Sequence, residues 1–403
     1  MLVPLASTGL RDIDIDLAIA VLKSGQLTMG SRVKEFEKTM ANYLQCKNFI
    51  MVNSGSSANL LMIEALLRPT LSKPKLFPGD SILVPAIAWP TTIWPLIQLG
   101  LNPVFVDINP ETLAIDLAQA QNLIDKSGIR IAGIFPIHPL GYAIPHEELN
   151  NFVKKNEIIL ISDVCESLGS WEKGVHAGMS SIAASFSFYF SHHITTMEGG
   201  GIATNDDGLA DDLRSMRSHG WSRDRNDVAE WNKTKTSNDS KFLFVSTGYN
   251  VRPMEIQAAI GNSQIMSIDS FVERRRYIAK RVSETVSGTK LRVIGQAQLN
   301  EKEGASGHSW MLIPIQVTGP NAKETKESIL KNLQALGVET RPVLTGNFLS
   351  QPAIQRITKH SSNPDNFPGA NQITETTFLV GAHHDLTEAQ IDHLEKSIIQ
   401  SLE

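Results

Sequence analysis

Four short segments of this 403-residue chain carry side chains with chemical use. The first is Asn53-Ser54-Gly55-Ser56-Ser57-Ala58-Asn59, between a β-rich run and a helical pattern. Small residues at a helix start leave backbone N–H groups uncovered, and that end carries positive partial charge, so it suits a phosphate. Gly55, Ser56 and Ser57 are the candidate donors. The same residues also describe a plain N-cap, and they lack the spacing of a GxxxxGKS loop or a GxGxxG turn. The second is Trp89 in VPAIAWPTT, where an aromatic at a strand end can stack on a planar ring or simply join the core. The third is Ile161-Ser162-Asp163-Val164-Cys165-Glu166-Ser167. Its apolar run ends in Asp163, a carboxylate placed to pair with a ring nitrogen or to cap a turn; Glu166 follows three residues on. The fourth, SFSFYFSHHITTMEGGG over 185–201, contains Ser187 and the adjacent His192 and His193. Adjacent residues on an extended chain point apart, and no HxxxH or CxxC spacing accompanies them, so no metal site is expected.

Elements must position these segments. Strand patterns lie at Phe49–Val52, Ser81–Pro85, Pro103–Asp107, Ile129–Phe135 and Ile158–Asp163, alternating with helical patterns at Ser57–Leu67, Thr91–Leu99, Leu117–Lys126 and Pro145–Lys155. This rhythm predicts an α/β fold whose mostly parallel sheet is covered on both faces, with ligands at the strands' carboxyl ends. Residues 222–246 are polar and irregular, an excursion that serves as a substrate loop or as an arm to a partner subunit. A long helical pattern from Met254 to about Glu284 leads into a smaller α+β unit. That unit has strands near His308–Val317 and Val338–Pro342, helices at Lys323–Leu336 and Glu388–Ile399, and a loop over 357–370.

Composition excludes several classes. With 37 Lys+Arg against 42 Asp+Glu the net charge is −5, which argues against nucleic-acid binding by bulk electrostatics. Cys46 and Cys165 are too few to staple a secreted scaffold, so a cytoplasmic setting is expected. No run approaches the roughly 20 apolar residues that span a bilayer, and MLVPLASTGLRDIDIDLA lacks the pattern of a signal peptide. No membrane partner is expected.

A phosphate cradle, an aromatic stacker, a strand-end Asp and a Ser-rich strand leading to EGGG follow one another in the order of a pyridoxal phosphate site. With LTMG at 27–30, NSGSSAN, SDVCES, FSFYFSHHITTMEGGG, GYNVRP and TRPVLTGNF, the chain resembles the nucleotide-sugar aminotransferase-like family named after DegT, DnrJ, EryC and StrS. The resemblance runs from Leu27 to Gly381. It implies a fold-type I, aspartate aminotransferase-like enzyme, with a large cofactor domain at 1–265 and a smaller domain at 266–403. One position departs from most of that family. Where a Schiff-base lysine precedes EGG, this chain has His192, and no lysine lies between Lys173 and Lys233. That substitution resembles the subgroup of 3-dehydratases acting on 4-keto-6-deoxy nucleotide sugars.

The resemblance implies a lyase that removes the C3 hydroxyl of such a sugar. L-glutamate would convert pyridoxal phosphate to pyridoxamine phosphate, whose amine condenses with the sugar ketone. An imidazole makes no stable imine but shuttles protons near neutrality, so His192 would be the acid–base group. By the same resemblance Gly55, Ser56, Ser57 and Ser187 would hold the phosphate and Trp89 would stack on the ring. Asp163 would pair with the ring nitrogen, and Glu166 would lie at its polar edge. Asn250 would reach the site of a partner in a homodimer, while His219, Arg341 and Asn347 would face the nucleotide sugar. Two rivals remain. A sugar aminotransferase conflicts with His192, and a reductase-coupled dehydrase would need an external partner, because two cysteines are too few for a cluster. A non-catalytic ligand sensor has no use for the histidine.

Overall fold

The computed structural model describes residues 1–233, 242–300, 307–357 and 363–403. The first strands are β1 (Asn48–Val52), β2 (Ser81–Pro85), β3 (Asn102–Val106), β4 (Ile131–Ile134) and β5 (Ile159–Asp163). They form where the alternating pattern predicts them. The short β6 (Trp171–Glu172) and β7 (Val175–His176) pair with each other, and β8 (Ala183–Ser187) and β9 (Gly200–Thr204) return to the main sheet. Among the described residues that sheet has seven strands in the order β1-β9-β8-β5-β4-β2-β3. Neighbours from β8 through β5, β4 and β2 to β3 run parallel, while β9 opposes both β1 and β8. The α/β class and the mixed, mostly parallel sheet are therefore as expected. β1 and β2 are buried at every position, as strands with helices on both faces must be.

β9 escapes a propensity reading because it begins Gly200-Gly201, and glycine weakens strands. Packing explains both glycines. A Cβ on Gly200 would run into the backbone of Ser54 and Gly55, and one on Gly201 would strike the Phe49 ring.

Beyond residue 290, β10 (Leu291–Val293), β11 (Leu312–Val317) and β12 (Thr377–Gly381) form a three-stranded antiparallel sheet. Ile278, Val282, Leu333, Ile391 and Leu394 from its helices bury against Ile313, Ile315 and Phe378 of the strands.

Several boundaries are corrected. The single helix expected from Met254 is two, Glu255–Ile265 and Ile268–Val286. Ser267 leaves helical geometry at φ −112° and ψ 3°, and Arg11 donates to its hydroxyl at 2.7 Å. Val338–Pro342 forms no strand; it makes isolated pairings of Val338 with Val3 and of Arg341 with Leu379, and Pro342 has no N–H to extend the ladder. The strand near His308 starts at Leu312, because Trp310 adopts a left-handed φ of 49°. The 357–370 stretch is not all loop: a helix starts at Pro368, proline being favoured in a first turn. The 222–246 stretch holds a short helix, Val228–Lys233. Residues 234–241 and 358–362 of these two stretches lie outside the described residues. No described helix is long and apolar enough to cross a membrane.

Candidate active site

A cavity of about 300 Å³ opens at the carboxyl ends of β1, β2, β5 and β8, where the topology of an open α/β sheet places ligands. Met311, Arg341 and Leu344 from the C-terminal part close its other side.

One end is the start of the helix Gly55–Leu67. Ser54 caps it, its Oγ accepting from the Ser57 N–H at 3.1 Å. The Ser57 hydroxyl turns to the same cap, accepting from Ser54 Oγ at 3.0 Å. Ser54, Gly55 and Ser56 therefore line the cavity, and Ser57 does not. Ser187, at the end of β8, faces Gly55 so closely that a Cβ on Gly55 would lie 2.6 Å from Ser187 Cβ and 3.0 Å from Cys165 Sγ. Only glycine leaves this cradle of N–H and hydroxyl groups open to an anion.

At the other end of the floor stands Asp163, buried at the tip of β5. Its Oδ2 accepts from Asn59 Nδ2 at 2.9 Å and Thr92 Oγ1 at 2.8 Å, and its Oδ1 accepts from Cys165 N at 3.0 Å. These contacts lock its direction. Trp89 caps the next helix, Pro90–Gln98, and is 52% exposed on the cavity rim. That exposure removes the core reading and leaves a ring face open for stacking. Glu166 is buried, accepts from Leu140 N at 3.0 Å, and faces Arg341 Nη2 at 3.8 Å. Burial pushes its carboxyl above the usual range, and the Arg341 charge opposes this.

His192 lines the same cavity. Desolvation, with Arg341 and Arg275 nearby, brings its imidazole down to about 4. It is therefore neutral at physiological pH and able to accept a proton. Its Nδ1 is buried with no protein partner. His193 points away into the interior, where its Nε2 meets Ser309 Oγ at 2.8 Å. The pair therefore diverges, as expected of adjacent residues.

The glycine cradle, the locked carboxylate and the open indole face fit a phosphorylated pyridine cofactor. Gly55, Ser56, Ser187, Trp89, Asp163, Glu166, His192 and Arg341 converge on this one cavity. Other candidates do not. His219 is exposed at a left-handed φ of 64°. Asn250 is also exposed, and its Oδ1 accepts from Arg252 Nε at 3.1 Å. Asn347 is buried and structural: its Oδ1 accepts from Leu349 N at 3.1 Å, and its Nδ2 donates to Pro364 O and Asn371 Oδ1. Sequence reasoning missed Ser54, Asn59 and Thr92. Asn59 ends the NSGSSAN segment, and its i+4 spacing from Gly55 was the available signal.

The description "DegT/DnrJ/EryC1/StrS aminotransferase family" belongs to the family model that matches residues 10–399. The chain is 35% identical to GDP-4-keto-6-deoxy-D-mannose 3-dehydratase of Yersinia pseudotuberculosis over 397 residues, covering 97% of this chain and 96% of that one. Its structure is similar, with a TM-score of 0.87 and 33% identity, to a histidine-to-asparagine variant of GDP-4-keto-6-deoxymannose 3-dehydratase with bound GDP-perosamine, covering 98% and 100% of the two chains. A structure of that enzyme with a trapped PLP–glutamate geminal diamine gives 0.86 and 32% over 98% and 100%. These similarities agree with the family and subgroup to which the motifs point.

Proposed function

The chain belongs to the DegT/DnrJ/EryC1/StrS aminotransferase family, and on that premise we propose that it is a pyridoxal phosphate-dependent 3-dehydratase of a 4-keto-6-deoxy nucleotide sugar. The observation that carries this reading is His192 on the wall of a cavity that no lysine lines among the described residues. Without a lysine amine the cofactor is held by non-covalent contacts alone. This favours a lyase over an aminotransferase, and relatives named as 3-dehydratases support it.

In this reading the Gly55 N–H with Ser56 and Ser187 binds the cofactor phosphate. Trp89 covers one ring face, and Asp163 holds a proton on the pyridine nitrogen. Bound there, the cofactor supplies an electron sink and, in its amine form, the nitrogen that joins the sugar ketone. L-glutamate is the amine donor. His192 accepts a proton in its neutral form and returns it to the departing C3 oxygen. Arg341 meets the anionic nucleotide sugar, and Glu166 fixes the guanidinium. Asn347, whose side chain is fully engaged, is left out of the site.

We assign Asn250 and His219 to the site of a second copy in a homodimer. Support comes from their exposure and from the neighbouring Trp221, on which the Phe242 and Phe244 rings stack at 5.5 and 5.8 Å. Residues 1–265 form the cofactor domain, 266–403 the smaller one, and the enzyme works in the cytoplasm.

The test is direct. Protein loaded with pyridoxal phosphate is titrated with L-glutamate while the absorbance is followed, then given 4-keto-6-deoxy nucleotide sugars without reductant. Conversion to the amine form, followed by release of ammonia and a 3-deoxy ketone, is expected. No conversion by glutamate sinks the reading, and product formed only with an added reductase favours the reductase-coupled rival.

A further inference from the structure

Behind His192 lies a second polar region that the proposed chemistry does not use. Arg275, on the helix Ile268–Val286, is 1% exposed. Its Nη1 donates to Met311 O at 2.8 Å and Trp310 O at 3.4 Å, and its Nη2 donates to His192 O at 3.3 Å. Its Nε has no protein partner, and no carboxylate pairs with it among the described residues. Asp385 is the acid that acts on it from a distance; that carboxylate accepts from the Ser7 hydroxyl and stands 3.5 Å from His384 Nε2.

A buried charge without a counter-ion is costly, and an apolar side chain of similar volume is usually at least as stable there. Packing alone does not account for Arg275. Its three acceptors do. One is the backbone of His192; the others belong to the segment that brings Met311 to the opposite wall of the cavity. The fork thus ties two walls of one site together.

We propose that Arg275 is a positioning residue for His192: its guanidinium grips the His192 carbonyl and the Trp310–Met311 backbone together, and its charge adds to the burial and the Arg341 charge that keep the imidazole in the neutral, proton-accepting form. The proposal rests on the reading of His192 as the proton-transfer group. Other charged and titratable groups face the two residues. Arg341 acts on His192 in the same direction. Asp163, Glu166, Cys165, Tyr189 and Glu198 share its cavity. Around Arg275 stand His193, His383 and His384, each lowered first by burial and then also by the Arg275 charge.

The experiment compares full-length Arg275→Met and Arg275→Lys with the parent. The His192 imidazole is titrated by NMR in ¹³C-histidine-labelled, cofactor-free protein, with His192→Asn identifying its signal. Losing the charge is expected to raise the His192 midpoint, while burial and Arg341 still hold it below the usual imidazole value. Lysine keeps the charge, so its midpoint should stay within a few tenths of the parent's, while loss of the fork lowers kcat for dehydration about tenfold with KM unchanged. A His192 midpoint unmoved in Arg275→Met, or parental turnover in Arg275→Lys, overturns the proposal. If the methionine variant does not fold, Arg275→Gln replaces it as the neutral member. The titration needs no turnover, so it decides the role of the charge even if the dehydratase reading fails.

Discussion

Glu166 Oε1 and Arg341 Nη2 face each other at 3.8 Å, joining the end of β5 to the segment that pairs with β12. The carboxylate comes from the loop after β5, where the first half of the chain puts its chemistry. The guanidinium is placed by backbone bonds, Arg341 N to Leu379 O at 3.2 Å and Leu379 N to Arg341 O at 2.8 Å. The cavity therefore has a carboxyl on one wall and a guanidinium on the other, and the Arg341 charge opposes the burial that pushes the Glu166 carboxyl up.

Arg341→Gln removes the charge that opposes the burial effect on Glu166, so the Glu166 carboxyl titrates higher still. It also removes the cation assigned to the nucleotide sugar. We expect KM for the sugar nucleotide to rise about tenfold, as loss of a charge-assisted contact allows, with little change in Tm because Arg341 is 34% exposed. Steady-state kinetics on the parent's substrate check this; an unchanged KM removes Arg341 from substrate binding.

Gly55→Ala places a methyl 2.6 Å from Ser187 Cβ. Either β8 or the helix start must shift, and the phosphate cradle closes. Affinity for pyridoxal phosphate should fall by at least about tenfold, consistent with a loss of 1.4 kcal/mol or more. Equilibrium titration by absorbance or fluorescence measures it. Unaltered affinity would place the phosphate elsewhere.

Asp163→Asn keeps the size of the side chain and removes its charge. The new amide can accept from Thr92 or Asn59 through its single oxygen, so the fold should survive. Dehydration should fall by about 10² or more, the scale of losing one preorganised electrostatic group. Thr92→Val leaves the charge and removes one support, and its loss should be smaller. Equal losses in the two variants would contradict the role given to Asp163.

His192→Lys restores an amine where the wider family has one. Dehydration should drop by about 10² or more, as loss of an acid–base group predicts. The cofactor should become covalently attached, surviving gel filtration with a shifted absorption band. Retained dehydration would remove His192 from its assigned role.

Stability should depend strongly on acid. Burial lowers His138 and His308 to about 3, and His176, His192, His383 and His384 to about 4. Unfolded histidines titrate near 6.5, so below that pH the unfolded chain binds protons that the folded chain refuses. Their contribution is complete above pH 6.5 and is lost as the pH falls toward 4. Scanning fluorimetry across that window should show a steep fall in Tm, and a flat profile would contradict the burial of these rings.

The sequence alone determined the alternation of strands and helices, because strands buried on both faces must be written as apolar runs. It also carried most of the site. Gly55, Ser56, Trp89, Asp163, Ser187 and His192 stand in segments whose order along the chain matches the strand ends that converge. The missing lysine needed only the absence of a residue type over one stretch. Other features were not legible. β9 opens with glycines that exist to let Ser54 and Phe49 approach, and no local preference records a close approach from elsewhere. Asn347 reads as a ligand by motif, yet its loop consumes every polar atom it has. Arg275 reads as one charge among many on an amphipathic helix. Only the packing of that helix against His192 and Met311 buries the charge and aims it, because burial and contact across 83 residues of chain are properties of the folded surface, not of any window of sequence.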